Sequence, residues 1–159
     1  MAEAALDVRG ARILVVDDVP ANLDVLCQSL EAADYRVEVA TDGASAIRIA
    51  AESTPDLILM DVVMPGIDGF ETCRRLKAGD STREIAVLFL TGKGDTVEIV
   101  EGFQAGGVDY IVKPFQKEEV LVRVRTHLER ARLTRELKDK NRDLQEEIHR
   151  RQIATSERN

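Results

Sequence analysis

The sequence predicts an α/β fold, a doubly wound parallel five-stranded sheet, followed by one extended C-terminal helix. Three observations lead to this prediction. Short apolar runs alternate with stretches of helical periodicity through the first 115 residues. All 10 glycines and all 4 prolines lie at or before Pro114. Residues 1–115 carry 10 basic and 20 acidic side chains, whereas residues 116–159 carry 12 and 9, so the composition changes where the helix breakers stop.

Five short, mostly apolar runs are the predicted strands. Such runs are typical of strands that are buried on both faces of a parallel sheet. In chain order the runs are Ile13–Val16, Val37–Ala40, Leu57–Met60, Ala86–Leu90 and Tyr110–Val112. Helical stretches separate them, and five such units of a strand followed by a helix imply a parallel sheet with helices on both faces.

A predicted helix follows each strand. The first begins near Pro20, because proline is tolerated in the first turn of a helix. Apolar residues at helical spacing mark the first four helices: Leu23, Leu26, Cys27 and Leu30; Ala44 to Ala50; Phe70, Cys73 and Leu76; and Val97, Val100 and Phe103. The fifth helix begins near Gln116, just after Pro114.

Conspicuous polar residues follow four of the five strands. Asp17 and Asp18 follow the first, Asp61 the third, Thr91 the fourth and Lys113 the fifth. The carboxyl ends of parallel strands meet at one edge of a sheet, where binding sites form in open α/β folds. We therefore expect these residues to lie in one cleft.

Three carboxylates in one cleft repel each other unless a cation intervenes. Oxygen ligands without His or Cys suit Mg²⁺. A lysine and a threonine beside them can bind phosphoryl oxygens, and an aspartate can act as a nucleophile that forms an acyl phosphate. The constellation therefore favours phosphoryl transfer to a carboxylate.

The chain resembles the receiver domain of bacterial two-component response regulators over about residues 12–130. The motifs ILVVDD (13–18), LILMDVVMPGIDG (57–69), LFLTG (88–92) and AGGVDYIVKPF (105–115) match that family in order and spacing. The resemblance implies a (βα)5 fold with strand order 2-1-3-4-5. It also implies a phosphorelay switch that accepts a phosphoryl group from a histidine kinase or a histidine phosphotransfer protein.

The resemblance assigns roles around the phosphoacceptor. Asp61 matches the phosphoacceptor, and Asp17 and Asp18 match the acidic pair that holds Mg²⁺. The backbone carbonyl of Val63 would be a further ligand. A slow autodephosphorylation would return the domain to its starting state.

The resemblance also assigns switch residues. Thr91 and Lys113 would contact the phosphoryl group, and Tyr110 matches the aromatic residue that turns inward when Thr91 moves. The bond between Lys113 and Pro114 would be a cis peptide. Gly92 replaces a more usual alanine, which removes no reacting group.

Structural interpretations stand beside these functional ones. Asp17 and Asp18 could cap a helix, because Asp favours N-cap positions. Lys113 could be a solvated lysine, and Tyr110 could simply pack at the sheet edge. His127 and His149 lie in basic helical stretches and are expected at the surface.

Two other functions remain open. An aspartyl-phosphate phosphohydrolase of the haloacid dehalogenase type would need a second Asp two residues after Asp61, where this sequence has Val63. A receiver-like domain could also act as a dimerisation module without phosphorylation. The complete set of reacting groups disfavours the second alternative.

The C-terminal stretch predicts a dimeric coiled coil. From Gln116 to about Ile153 the chain is rich in Leu, Glu, Lys and Arg, which are good helix formers. A heptad seam passes through Leu137, Asn141, Leu144 and Ile148, and Asn at an a position favours a two-stranded parallel state. The alternative is a solvated tail, because so few heptads are weak evidence.

These observations predict an N-terminal tail (1–11), a receiver domain (12–130) and a helical extension (131–159). The extension resembles signalling helices that lead to sensory, kinase or cyclase modules, so we expect a fragment of a longer protein. The alternative is a natural single-domain regulator with a helical tail. The net charge of −7 argues against direct binding to nucleic acid or anionic membranes. Two lone cysteines and the lack of a secretory signal favour a cytoplasmic setting.

Overall fold

The sheet is parallel and five-stranded, with the order β2-β1-β3-β4-β5. The computed structural model describes residues 7–92 and 94–158, with side chains through residue 156. The predicted fold class and strand order are confirmed. Residues 1–6 of the predicted tail and residue 159 of the predicted extension lie outside the described residues.

Strands and helices alternate throughout the described residues. The strands are β1 (Arg12–Val16), β2 (Arg36–Ala40), β3 (Leu57–Asp61), β4 (Ala86–Thr91) and β5 (Asp109–Val112). The helices are α1 (Pro20–Ala32), α2 (Gly43–Ser53), α3 (Gly69–Ala78), α4 (Thr96–Ala105) and α5 (Lys117–Arg158). Each strand is one residue longer than its predicted run, at the amino end in β1, β2 and β5 and at the carboxyl end in β3 and β4. Asp61 and Thr91 are therefore the last residues of β3 and β4 rather than the residues after them.

The core has two parts, one on each face of the sheet. Side chains alternate between the faces of a strand, so Leu14 and Val16 pack on one side and Ile13 and Val15 on the other. All four of these side chains are completely buried. Burial on both faces explains why β3 and β4 have no polar residue before their carboxyl ends, and why the one charged residue of β1 is its exposed first residue, Arg12.

Helix α5 is one continuous helix of 42 residues, about 60 Å long at the usual rise per residue. Its first turns pack on the sheet through Val120, Val124 and Leu128, which are buried in the core. Beyond Ala131 almost every described side chain is exposed. Among the described residues, no helix is both long and apolar enough to cross a membrane.

His127 does not lie at the surface, and that prediction was wrong. The residue is only 8% exposed. Its Nε2 lies 2.9 Å from Oδ2 of Asp109 on β5. The basic composition around His127 concealed this position, because His127 lies on the face of α5 that packs against the sheet.

The segment before β1 contacts the point where α5 leaves the sheet. Val8 is buried in the same core cluster as Leu128. The guanidinium of Arg132 donates to the backbone carbonyl of Asp7. Residues 7 and 8 therefore pack against the domain.

Gly69 begins α3 at the end of β3, and it offers a test of this packing. A Cβ atom there would lie 2.4 Å from the backbone oxygen of Asp61 and 2.9 Å from Cα of Val62. We expect Gly69→Ala to lower the free energy of unfolding by about 1–3 kcal/mol, because backbone atoms cannot move aside as a flexible side chain can. Urea denaturation measures this change.

Gly92→Ala is the matched control. A Cβ atom at Gly92 would have nothing within 4 Å, so its effect is expected to stay within about 0.5 kcal/mol. Equal stabilities for the two variants would contradict the described junction of β3 and α3.

Candidate functional site

Asp17 and Asp61 are brought together by the pairing of the two neighbouring strands β1 and β3. Val16 pairs with Met60 in parallel register, so the next residues, Asp17 and Asp61, face each other at the carboxyl edge. Asp17 is completely buried and Asp61 is 5% exposed. Asp18 is exposed at the mouth of the cleft.

The three aspartates form a compact acidic cluster. One carboxylate oxygen from each residue lies within 4.8 Å of the others. Because this cluster offers only oxygen ligands, its chemistry fits Mg²⁺, which is bound through a few carboxylates and keeps several waters. The exposed position of Asp18 leaves one side of the cluster open to solvent.

The helix-capping interpretation of Asp17 and Asp18 does not describe α1. The N-cap residue of α1 is Val19, and no side chain caps the helix. Oδ1 of Asp17 accepts a hydrogen bond of 2.9 Å from the backbone N–H of Val19 itself. This bond is to the N-cap residue, so it does not satisfy a backbone N–H of the first turn of α1.

Asn22 also orients Asp17, and the sequence analysis missed it. Its side-chain Nδ2 donates to Oδ2 of Asp17 at 3.2 Å. Asn22 lies in the first turn of α1, the helix that begins at the cleft. A polar residue in that turn was the available signal.

Lys113 reaches the cluster from the end of β5. Its Nζ lies 3.1 Å from Oδ1 of Asp61 and 3.5 Å from Oδ2 of Asp17. The backbone N–H of Lys113 donates to the carbonyl of Thr91, and its bond to Pro114 is cis. With a side chain 26% exposed, Lys113 lies between solvent and the two buried carboxylates.

Lysine only partly offsets the negative charge of the cluster. Burial raises the pKa of Asp61, and the nearby carboxylate of Asp17 raises it further. The hydrogen bond and the charge of Lys113 lower the pKa of Asp61, but the net shift is upward. The site therefore holds more negative charge than its own lysine balances, which favours a bound cation.

Thr91 ends β4, which pairs with the strand that carries Asp61, and Tyr110 lies on β5. The hydroxyl of Thr91 donates to Oε1 of Glu98 on α4, a partner that the sequence analysis did not identify. The ring of Tyr110 makes an edge-to-face contact with Phe103, with centroids 6.0 Å apart. Thr91 and Tyr110 border one apolar pocket, which Val62, Phe70, Phe89, Ile99 and Phe103 also line.

Val63 lies beyond β3, in the loop that leads to α3. Val63 is 76% exposed, so its side chain contributes little to the packing of the core. The loop ends at Asp68, which caps α3 by accepting a hydrogen bond of 2.8 Å from the N–H of Glu71. The cap fixes the far end of the segment that carries the Val63 carbonyl.

The predicted seam residues of the extension are all exposed. Leu137 is 66% exposed, Leu144 62% and Ile148 50%. Asn141 is exposed as well. Leu133, which the sequence analysis did not include, is 50% exposed and lies one helical turn before Leu137.

Comparisons with known proteins agree with this geometry. The family model described as "Response regulator receiver domain" matches residues 13–125. Among curated proteins, the DNA-binding dual master transcriptional regulator RpaA of Synechocystis is 44% identical over 119 residues, which cover 75% of this chain and 49% of RpaA. A Vibrio cholerae protein named "Probable cyclic di-GMP phosphodiesterase" is 39% identical over 145 residues, covering 91% of this chain and 33% of that protein. The chain thus spans about half or less of these relatives.

A solved receiver domain resembles this fold. The receiver domain of the sensor histidine kinase PA1611 from Pseudomonas aeruginosa PAO1 aligns with a TM-score of 0.70 at 33% identity, covering 75% of this chain and 98% of that one. Its magnesium ion is coordinated in the active site cleft. By the family match over residues 13–125, this chain belongs to the receiver domain family of two-component response regulators, whose members are signalling switches.

Proposed function

We propose that this protein is a phosphorylation switch in which Asp61 accepts a phosphoryl group from the phosphohistidine of a histidine kinase or a histidine phosphotransfer protein. One observation carries the proposal: Asp61 ends a central strand, with Lys113 Nζ at 3.1 Å and two further carboxylates beside it. A carboxylate held in this way can attack the phosphorus atom as the bond from phosphorus to the histidine nitrogen breaks.

Mg²⁺ bound by Asp17, Asp18, Asp61 and the carbonyl of Val63 would neutralise negative charge during this transfer. Asp17 stays oriented by Val19 and Asn22. Lys113 holds Asp61 in place and is close enough to contact a phosphoryl oxygen. Hydrolysis of the acyl phosphate in the same site would give a slow autodephosphorylation.

Thr91 and Tyr110 are the proposed switch residues. Phosphorylation places new acceptor oxygens beside Asp61, and these compete with Glu98 for the hydroxyl of Thr91. Movement of Thr91 away from the apolar pocket leaves room for the ring of Tyr110, which borders it. A phosphoryl group that binds one arrangement better than the other shifts the population toward it.

The output is proposed to travel along α5. The seam residues Leu137, Asn141, Leu144 and Ile148 would pair with those of a second copy in a parallel coiled coil. At 100° per residue, Leu133, Leu137, Leu144 and Ile148 fall within one narrow stripe of the helix. A sensory, kinase or cyclase module that follows α5 would then receive the change. The Vibrio cholerae relative matches over 145 residues and is named a probable cyclic di-GMP phosphodiesterase, which supports an enzymatic output module but of a different kind from these three.

Acetyl phosphate with Mg²⁺ tests the phosphoacceptor directly. Intact-protein mass spectrometry is expected to find one added phosphoryl group on the wild type and none on Asp61→Asn, because an amide cannot form the acyl phosphate. Asp80→Asn is the control, since the side chain of Asp80 is fully exposed. Labelling of Asp61→Asn at the wild-type level would contradict the assignment.

The raised pKa of Asp61 predicts how stability depends on pH without metal. Because the folded chain holds this proton more tightly than the unfolded chain, the wild type gains stability as pH falls through the folded pKa. Asp61→Asn removes the unfavourable charge, so we expect it to be more stable than the wild type at pH 7. That advantage should shrink as the pH approaches about 4, the ordinary pKa of Asp.

Urea denaturation in EDTA at pH 7 and at pH 4.5 measures both effects. Added Mg²⁺ at pH 7 should stabilise the wild type more than Asp61→Asn, because the variant lacks one carboxylate ligand. An Asp61→Asn variant that is less stable than the wild type at pH 7 in EDTA would contradict the expectation that the charged Asp61 carboxylate destabilises the folded chain.

A pair of neighbouring substitutions tests the coiled coil. Leu144→Asp places a charge in the seam, whereas Gln145→Asp makes the same change of charge one residue away. We expect Leu144→Asp to weaken dimerisation at least about tenfold, because it removes buried apolar surface and adds like charges across the interface. Gln145→Asp should dimerise as the wild type does.

Sedimentation equilibrium measures both dissociation constants. Dimerisation that is equally strong in Leu144→Asp and Gln145→Asp would move the interface from the extension to the receiver domain.

A further inference from the structure

Asp109 joins the proposed switch residue to the output helix. Its Oδ1 accepts a hydrogen bond of 2.8 Å from the backbone N–H of Tyr110. The same carboxylate accepts from Arg123 at 2.9 Å on both oxygens, and its Oδ2 lies 2.9 Å from Nε2 of His127. A carboxylate has no proton to give, so Nε2 is the donor.

Asp109 and Tyr110 lie on opposite sides of β5, because neighbouring side chains in a strand alternate. Tyr110 faces α4, where it contacts Phe103. Asp109 faces α5, where Arg123 and His127 are four residues apart and so share one helix face. A movement of Tyr110 that displaces the β5 backbone would therefore alter the contacts of Asp109 with α5.

Strand β5 has fewer strand neighbours than the central strands. It is an edge strand and pairs with β4 alone. Its other attachments are side-chain contacts to the helices beside it. We name Asp109, Arg123 and His127 the β5–α5 cluster.

The burial of the cluster makes its attachment firm. His127 is 8% exposed, and the Asp109 side chain is 17% exposed. Partial burial raises the pKa of Asp109, but the hydrogen bonds from His127 and Arg123 outweigh it and lower the pKa overall. Asp109 is therefore held as the charged acceptor, and hydrogen bonds to charged groups are the stronger ones.

We propose that the β5–α5 cluster transmits movement of Tyr110 to α5, and so to the extension beyond residue 131. Asp109, Arg123 and His127 are positioning residues, which act through Tyr110 and α5 and do not touch the phosphoryl group. The proposal rests on the proposed function, because transmission requires a switch at Asp61. His127 is its central residue, since it is the buried donor and Arg123 has a side chain 41% exposed.

The test uses the full chain with beryllofluoride and Mg²⁺, which together imitate the phosphorylated aspartate. Isothermal titration calorimetry measures binding at Asp61, and hydrogen–deuterium exchange measures the change in residues 131–158. In the wild type, binding is expected to change exchange in the extension. His127→Leu keeps side-chain bulk but removes the hydrogen-bond donor. Its dissociation constant for beryllofluoride should stay within about threefold of the wild-type value, while the change in exchange in the extension should fall at least about fivefold.

Three variants make the test specific. His127→Gln retains a donor and should recover most of the change in the extension. Arg125→Leu, on the same helix but paired with Glu129, should behave as the wild type does. Asp109→Asn weakens the acceptor without changing its shape, and it replaces His127→Leu if that variant does not fold.

The possible results separate this inference from the proposed function. If His127→Leu and Asp109→Asn both show the same change in hydrogen–deuterium exchange as the wild type, the role of the cluster is overturned and the proposed switch at Asp61 is unaffected. Failure of the wild type to bind beryllofluoride overturns the proposed function, and the inference with it. Binding without any change in the wild-type extension overturns the inference and the output along α5, but not phosphoryl acceptance.

Discussion

The fold holds carboxylates that repel each other close together, and the properties of the site depend on this constraint. Asp17 and Asp61 are buried at the ends of two adjacent central strands, and the pairing of those strands prevents them from separating. Burial and the charge of Asp17 raise the pKa of Asp61, and Lys113 offsets only part of this effect. A site with this deficit of positive charge is suited to bind a divalent cation, and a bound cation would in turn attract an incoming phosphoryl group.

Strand β5 links that electrostatic centre to the rest of the molecule. Lys113 follows its last residue, Tyr110 lies on its α4 side and Asp109 on its α5 side. Because β5 lies at the edge of the sheet and pairs with β4 alone, these side-chain contacts are its links to α4 and α5. A change of charge at Asp61 therefore has a short physical route to α5.

Much of the fold could be predicted because its causes are local. Apolar runs such as Leu57–Met60 identify strands, and glycine and proline mark the breaks between elements. The errors were small at the boundaries, where Asp61 and Thr91 proved to be the last residues of their strands. When a polar residue follows a buried apolar run, the sequence does not show whether its backbone still pairs with the neighbouring strand.

Partners of buried polar groups were less predictable than the strands. Asn22, Glu98 and the Asp109 contact of His127 were missed, and His127 was wrongly expected at the surface. Each contact joins residues on different elements, so composition and periodicity carry little information about it. Distance along the chain was not the obstacle, since Asp17 and Asn22 are only five residues apart.

By itself, the sequence determined the alternation of strands and helices, the edge where polar residues gather and the long final helix. These follow from side-chain periodicity and from the common direction of parallel strands. Only the tertiary structure decided how close Lys113 lies to two carboxylates, which residue holds Thr91 and what ties β5 to α5. Those contacts depend on side-chain direction and strand register across the sheet, which are fixed only when the elements pack.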